Sequence, residues 1–155
     1  MKAKVIQEGV EGVVRGARTF ALIFETGEAV MAALAAFAED RSLTAGHFTA
    51  IGACSDVTLG FFDWEKKSYE KIPLNEQVEV LSLVGDIALK DGAPAVHAHI
   101  VLGKPDGTAH GGHLIEAHVR PTLEVILVES PRFLQRRVDA ETGLALIDPG
   151  APLSS

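Results

Sequence analysis

Four of the chain's six histidines lie in one short stretch, VHAHIVLGKPDGTAHGGH, which runs from Val96 to His113. His97 and His99 are two residues apart, so in a β-strand both imidazoles project from the same face. Neutral imidazole is a common zinc ligand. A zinc ion held by three histidines keeps one open coordination position, at which it can polarise a carbonyl or lower the pKa of a bound water. The stretch therefore predicts a metal site whose third histidine comes from the returning strand of a hairpin.

The register of that hairpin decides which histidine is the third. A four-residue loop, 104–107, places His110 on the face shared by the first two histidines. A five-residue loop, 104–108, or a bulge at the glycine pair 111–112 places His113 on that face instead. Zinc is the expected metal because the site offers neutral nitrogens and no thiolate, although nickel, copper or iron accepts the same ligands.

Other residues with chemical potential are scattered. Glu79 in VEVLSL and Glu124 in LEVILV are each the only charge in an apolar strand, where an unpaired buried carboxylate is costly. Either is a candidate general base, and the simpler interpretation is that both lie at strand ends with access to water or an arginine. Cys54 is the only cysteine and is expected to fill the core. His47 and His118 are expected to be ordinary histidines.

Composition and charge limit the class of protein. The chain has 155 residues, 47% of them hydrophobic, and a net charge of −7 at pH 7, which fits one globular domain over 1–155. Because nucleic-acid affinity comes mainly from cations that neutralise phosphates, DNA binding is expected to be weak or absent. The arginine-rich segment 131–137 is expected to be a solvated surface.

No membrane association is expected. The longest apolar run, 29–38, is shorter than the ~18 residues needed to cross a bilayer. The start, MKAKVIQEGVEG, has no apolar segment after its lysines, so a secretory signal is unsupported and a cytoplasmic location is expected.

The elements around the histidines predict an α+β fold, mainly an antiparallel β-sheet packed with one principal amphipathic helix. Helical spacing of apolar residues predicts that helix over 28–40, with Thr26 as its cap and Glu28 near the positive end of its dipole. No element is predicted before residue 18, and the tail 150–155 is expected to fray. Short connections between the predicted strands favour antiparallel pairing. The strands are predicted over 18–24, 48–54, 57–62, 78–87, 95–102, 108–119 and 123–128.

Several segments in order resemble the plants-and-prokaryotes-conserved (PPC) domain family, over about residues 18–146. The H-x-H pair followed by G-G-H-L after a G-x-x-x-G turn is the most distinctive of them. The segments are GEAVMAALAAFAED, AIGACSDVTLGFFD, EVLSLVGDI, HAHIVLGKPDGTAHGGHL and TLEVILVE followed by DAETGL.

The resemblance implies a single compact domain, assembly as a homotrimer, and a fold related to that of α-acetolactate decarboxylase. That zinc enzyme takes its ligands in the order H-x-H and then H. Carried over residue by residue, the ligands fall on His97, His99 and His113, which leaves His110 outside the site. The spacing before the third histidine differs and no catalytic acid or arginine matches, so the resemblance does not imply decarboxylation.

Plant members of the family are called DNA-binding because they carry an AT-hook with an Arg-Gly-Arg-Pro core. Here the segment 15–18 reads RGAR and lacks the second arginine and the proline of that core. Plant members also present Gly-Arg-Phe-Glu-Ile-Leu to partner proteins, whereas 76–81 reads EQVEVL and departs in its first three positions. The hook-dependent function is not expected.

The sequence therefore predicts a homotrimeric protein that binds a metal ion through His97, His99 and His113, with Zn²⁺ as the cofactor. One alternative is a zinc-dependent, lyase-like enzyme that acts on a small polar molecule bound at the metal. A second alternative is a DNA-binding or regulatory protein. Whether the chain is an enzyme, and with which catalytic residues, stays open at this stage.

Overall fold

The computed structural model describes residues 1–7, 18–130 and 132–152. Most of the hook-like segment 15–18 and the last three residues of the predicted tail 150–155 lie outside these ranges. The described elements follow in chain order: β1 (Lys2–Gln7), β2 (Thr19–Glu25), α1 (Val30–Asp40), β3 (Ala45–Asp63), β4 (Ser68–Leu74), β5 (Val78–Lys90), β6 (Ala93–Gly103), β7 (Ala109–Glu129), β8 (Arg136–Val138) and β9 (Ala145–Ile147).

Seven strands form one sheet in the order β1-β2-β7-β6-β5-β3-β4, and β8 pairs with β9. Every pairing in the seven-stranded sheet is antiparallel. Because β7 pairs with β3 as well as with β6, the strands β3, β5, β6 and β7 close a circuit. The predicted α+β class, with one described helix on a mainly antiparallel sheet, is confirmed.

Two strands are longer than predicted because each joins two predicted ones. β3 and β7 pair over most of their lengths, with register shifts at three places. Pro121, which lies between the two predicted strands that β7 joins, falls where the ladder skips from Val119 to Leu123, so its missing N–H breaks no paired position. Four further strands, β1, β4, β8 and β9, were not predicted.

The core lies between the inner face of the sheet and α1. The helix buries Val30, Leu34, Phe37 and Ala38, and the Phe37 ring meets the Phe20 ring edge to face at a centroid distance of 5.2 Å. Alternation along the strands sends one set of side chains inward and the next set outward. The outer face of β6 and its neighbours therefore carries the histidines.

Cys54 is fully buried in this core. Burial raises the pKa of its thiol to about 12. The thiolate needed for reactivity is therefore scarce at neutral pH, which agrees with the prediction that Cys54 fills the core.

The prediction that Thr26 caps the N-terminus of the helix was wrong. Residue 29, not Thr26, is the N-cap, and it makes no side-chain cap hydrogen bond. The Thr26 hydroxyl instead donates to the Pro121 carbonyl at 3.1 Å. Glu116 on β7 accepts from the backbone N–H groups of Met31 and Ala32, at 2.8 and 3.3 Å. The helix start faces β7, so a strand residue satisfies the groups that a local cap normally satisfies.

No helix in the described ranges is both long enough and apolar enough to cross a membrane. The cytoplasmic location stays a prediction.

Candidate metal centre

The β6–β7 hairpin sets the register of the histidines. Gly103 pairs with Ala109, and the ladder runs without a shift to the pair His99 and His113. The loop therefore has five residues, 104–108. This is one of the two arrangements predicted to place His113 on the same face as His97 and His99. It is closed by a hydrogen bond of 2.9 Å from the Lys104 N–H to the Thr108 carbonyl.

The glycine pair 111–112 does not form a bulge in this ladder, so the bulge alternative is wrong. A Cβ on Gly111 would lie 2.9 Å from the Ile100 carbonyl oxygen, and one on Gly112 would lie 3.1 Å from the Gly60 carbonyl oxygen. Both contacts are tighter than a side chain tolerates without movement of the backbone. The glycines allow β7 to approach β6 on one side and β3 on the other.

Three histidines converge on the outer face. His97, His99 and His113 each offer a ring nitrogen, and these nitrogens all lie within 4.8 Å of one another. The ring centroids are 5.1 to 5.4 Å apart. Bonds of ~2.1 Å to one tetrahedral ion require nitrogens roughly 3.4 Å apart, and the separations here are at most 4.8 Å.

His113 carries the clearest sign of a missing partner. Its Nδ1 is buried, and no described residue forms a hydrogen bond with it. Buried polar atoms in folded proteins normally have a partner. The residues present therefore fit a cation bound among these imidazoles.

The surroundings of His113 keep it neutral. The Tyr69 ring from β4 stacks on the imidazole, with centroids 4.4 Å apart. Burial, together with His97 and His99, lowers the pKa of His113 to about 4, and burial and His97 also lower the pKa of His99. Neutral imidazole is the form that ligates a metal.

A carboxylate lies beside the cluster. Asp86 on β5 pairs with His97 in the ladder, and its Oδ2 is 3.6 Å from the His97 Nδ1. Its Oδ1 accepts a short hydrogen bond from the Arg136 guanidinium. Although burial opposes ionisation, His97 and Arg136 hold the pKa of Asp86 below its ordinary value.

Known proteins share this arrangement of strands. The family model "Plants and Prokaryotes Conserved (PCC) domain", called the PPC domain above, matches residues 12–131. This chain belongs to the PPC family. The resemblance seen in the sequence is confirmed. No curated protein matches the chain.

Three solved structures show how similar the relatives of this PPC protein are. A PPC protein from Pyrococcus horikoshii is 34% identical, with a TM-score of 0.80 over 87% of this chain and 94% of that chain. A metal-containing protein from Archaeoglobus fulgidus is 36% identical, with a TM-score of 0.78 over 93% and 98%. A candidate DNA-binding protein from Bacteroides thetaiotaomicron is 27% identical, with a TM-score of 0.81 over 84% and 91%.

The expected likeness to α-acetolactate decarboxylase holds for the fold. A protein of unknown function from Staphylococcus aureus, described as similar to that enzyme, aligns with a TM-score of 0.53. The identity is 11%, over 71% of this chain and 51% of that chain. At that identity the likeness shows a shared fold and nothing about chemistry.

The remaining predicted residues of this PPC domain lie apart from the cluster. His110 pairs with Leu102 on the opposite face of the hairpin and is exposed. His47 is also exposed. His118 lies 2.7 Å from Asp56, from its Nδ1 to a carboxylate oxygen, so it is engaged in a polar pair of its own.

Glu79 and Glu124 are both exposed. Access to water therefore explains them, as the simpler interpretation required. Glu124 lies within β7 rather than at a strand end, and its exposure follows from alternation with buried Leu123 and Val125. Asp86 is the carboxylate beside the histidines.

Sequence reasoning missed three residues of the site: Tyr69, Asp86 and Arg136. The expectation that 131–137 is solvated surface was wrong for Arg136, whose side chain is 8% exposed. Its guanidinium turns inward because Asp86 and the Ala145 carbonyl accept its hydrogen bonds. An apolar strand interrupted by one acid, SLVGDI, was the available signal for Asp86.

Proposed function

We propose that this PPC protein is a homotrimer that binds a divalent transition metal, with zinc the best match, through His97, His99 and His113. The observation that carries the proposal is the convergence of three imidazoles, one of which has a buried nitrogen without a described hydrogen-bond partner. The Archaeoglobus relative, named as metal-containing, is consistent with it. Three nitrogen ligands and no thiolate suit zinc.

Metal analysis of the protein, purified without added metal or an affinity tag, tests this proposal. We expect about one zinc per chain in the wild type, because the described part of the chain holds one such histidine cluster. His99→Ala removes an exposed ligand and is expected to abolish bound metal. His110→Ala, on the opposite face, is the matched control and is expected to keep it. Equal metal content in both variants, or none in the wild type, contradicts the proposal.

A second candidate function is metal-dependent chemistry on a small polar molecule. An open pocket of about 290 Å³ lies against His97, His99 and Asp86. A bound metal polarises a carbonyl or lowers the pKa of a water ligand. Asp86 lines this pocket, and a free lone pair of its carboxylate can accept a hydrogen bond from such a molecule.

The enzyme and the binding module differ in what the pocket takes up. Enzyme function requires that a small polar molecule reach the metal through the open side of the pocket. Calorimetric titration of the zinc-loaded protein with simple carboxylates and hydroxy acids distinguishes the enzyme from the binding module. Binding that disappears in His99→Ala supports the enzyme, and its absence supports the module.

The trimer is supported by apolar residues on the outer face of the sheet. Monomeric proteins rarely expose contiguous apolar patches of this kind. An open depression of about 550 Å³ lies among several of them and also borders Glu124. The exposed apolar residues of this outer face are Ile23, Ile51, Leu81, Val84, Val101 and Ile126.

Direct DNA binding is proposed to be weak or absent. The Bacteroides relative is named as a candidate DNA-binding protein, but this chain has a net charge of −7. An acidic protein gains little from the counterion release that drives association with phosphates. A regulatory role, if present, is therefore proposed to act through the metal or a protein partner.

A further inference from the structure

The C-terminal hairpin β8–β9 lies beyond the residues that match the family model, which end at 131. The hairpin is anchored against β5. The Leu89 N–H donates to the Leu134 carbonyl at 2.7 Å, and the Asp148 N–H donates to the Gln135 carbonyl at 2.8 Å. The first bond ties the chain just before β8 to β5, and the second closes the end of the β8–β9 pair, so the position of residue 136 against β5 is fixed.

Arg136 is the one buried charged side chain of the described residues. It donates to the Ala145 carbonyl at 3.0 Å and to an Asp86 carboxylate oxygen. A buried guanidinium is stable only when its charge and its donors are both satisfied. The hairpin therefore delivers a fixed positive charge to Asp86.

Asp86 connects this charge to the histidine cluster. One carboxylate oxygen receives Arg136, and the other lies 3.6 Å from the His97 Nδ1. That distance exceeds a hydrogen bond, and a small rotation of the imidazole closes it. An ionised carboxylate can only accept, so the proton of neutral His97 has to lie on Nδ1, which leaves Nε2 free to ligate.

We infer that Arg136 and Asp86 form a positioning unit that orients His97 and selects its Nδ1–H tautomer for metal binding. The inference rests on the proposed metal site. Histidine ligands commonly donate their second N–H to a carboxylate, and the loss of that partner typically weakens metal binding by about 10- to 100-fold. Here the carboxylate comes from β5, and its orienting arginine comes from the C-terminal hairpin.

The test compares zinc affinity, by competition with a chromophoric chelator, among wild type, Asp86→Asn and Arg136→Gln. We expect Asp86→Asn to weaken zinc binding by about 10- to 100-fold while about one ion per chain is still bound at saturation. Arg136→Gln is expected to weaken it less, and Arg136→Lys, which keeps the charge, less still. Glu39→Gln, at an exposed acid on α1 away from the histidines, is the matched control and is expected to keep wild-type affinity.

Nitrogen-15 NMR of the zinc-free protein at pH 8 provides a readout that a purely structural role leaves unchanged, because zinc bound to Nε2 would itself place the proton on Nδ1. His97 is expected to show the Nδ1–H tautomer in the zinc-free wild type and to lose this preference in zinc-free Asp86→Asn. If Asp86→Asn does not fold, Arg136→Gln carries the same test. Wild-type affinity and tautomer in the folded variants overturn the inference and leave the metal site intact, even if the melting temperature falls. Failure of the wild type to bind zinc contradicts the proposed function itself.

Discussion

His113 and His118 of this PPC domain differ in pKa because their surroundings differ. Burial and two neighbouring imidazoles lower the pKa of His113 to about 4. At exposed His118 the hydrogen bond to Asp56 acts in the opposite direction and raises the pKa. The lowered pKa favours the neutral form of His113, which can ligate a cation, whereas the raised pKa favours the protonated form of His118.

The His118–Asp56 pair predicts a small pH-dependent contribution to stability. A raised pKa in the folded state stabilises fully below the unfolded pKa of histidine, about 6.5, and the contribution is lost as pH rises through the raised value. Hydrogen bonds from His118 and Ser55 help to lower the pKa of Asp56, so its contribution is lost as pH falls through that lowered value. The pair thus stabilises most between about pH 4 and 6.5.

Thermal unfolding of His118→Gln checks this prediction. The melting temperature is expected to fall below that of the wild type near pH 5.5, and the difference is expected to shrink at pH 8. Because the pair is exposed, the effect is small. The same substitution at exposed His110 is the control. A difference that grows with rising pH would refute the assignment.

At the scale of elements, the start of α1 depends on a strand. Glu116 of β7 accepts from two N–H groups in the first turn, those of Met31 and Ala32. Loss of an N-cap acceptor typically costs about 1 kcal/mol. We therefore expect Glu116→Ala to lower the free energy of unfolding by about 1 kcal/mol in urea titrations. Glu39→Ala, an exposed acid near the helix end, is the control, and an equal loss there contradicts the capping role.

Local pattern was enough to predict the hairpin of the site. Residues two apart share a face, so His97 and His99 were placed together, and loop length left only two candidates for the third position. The structure selects His113 because the loop has five residues. The choice depends on how tightly the loop closes, which residue types alone left open.

Contacts between residues far apart in the chain could not be predicted from the sequence. Asp86 and Arg136 are 50 positions apart in the chain, and no local period links them. The fusion of predicted strands into β3 and β7 was missed for a related reason. Ser55, Asp56 and Pro121 are typical of turns, yet they lie at register shifts within the β3–β7 ladder, which β-bulges can accommodate.

At the scale of the whole molecule, charge predicts the response to DNA. With a net charge of −7, the protein is expected to bind duplex DNA weakly and without sequence preference, if at all. Fluorescence anisotropy with labelled duplexes of different sequence, at physiological salt, measures this. Tight binding that discriminates between sequences would restore the function named for the Bacteroides relative.

The outer face of the sheet predicts the assembly. Leu81 is 54% exposed and Ile51 is 62% exposed, and both line the same depression. When such residues are buried against further copies of the chain, the association gains a free energy of about 25 cal/mol per Å² of apolar area removed from water. A head-to-tail contact that repeats three times closes a ring. Light scattering at micromolar concentration is therefore expected to give three times the mass of one chain.

Leu81→Asp places a charge in this contact and is expected to give monomers. Val138→Asp, at an even more exposed apolar residue on β8, is expected to leave the trimer intact. A monomeric wild type would exclude this assembly.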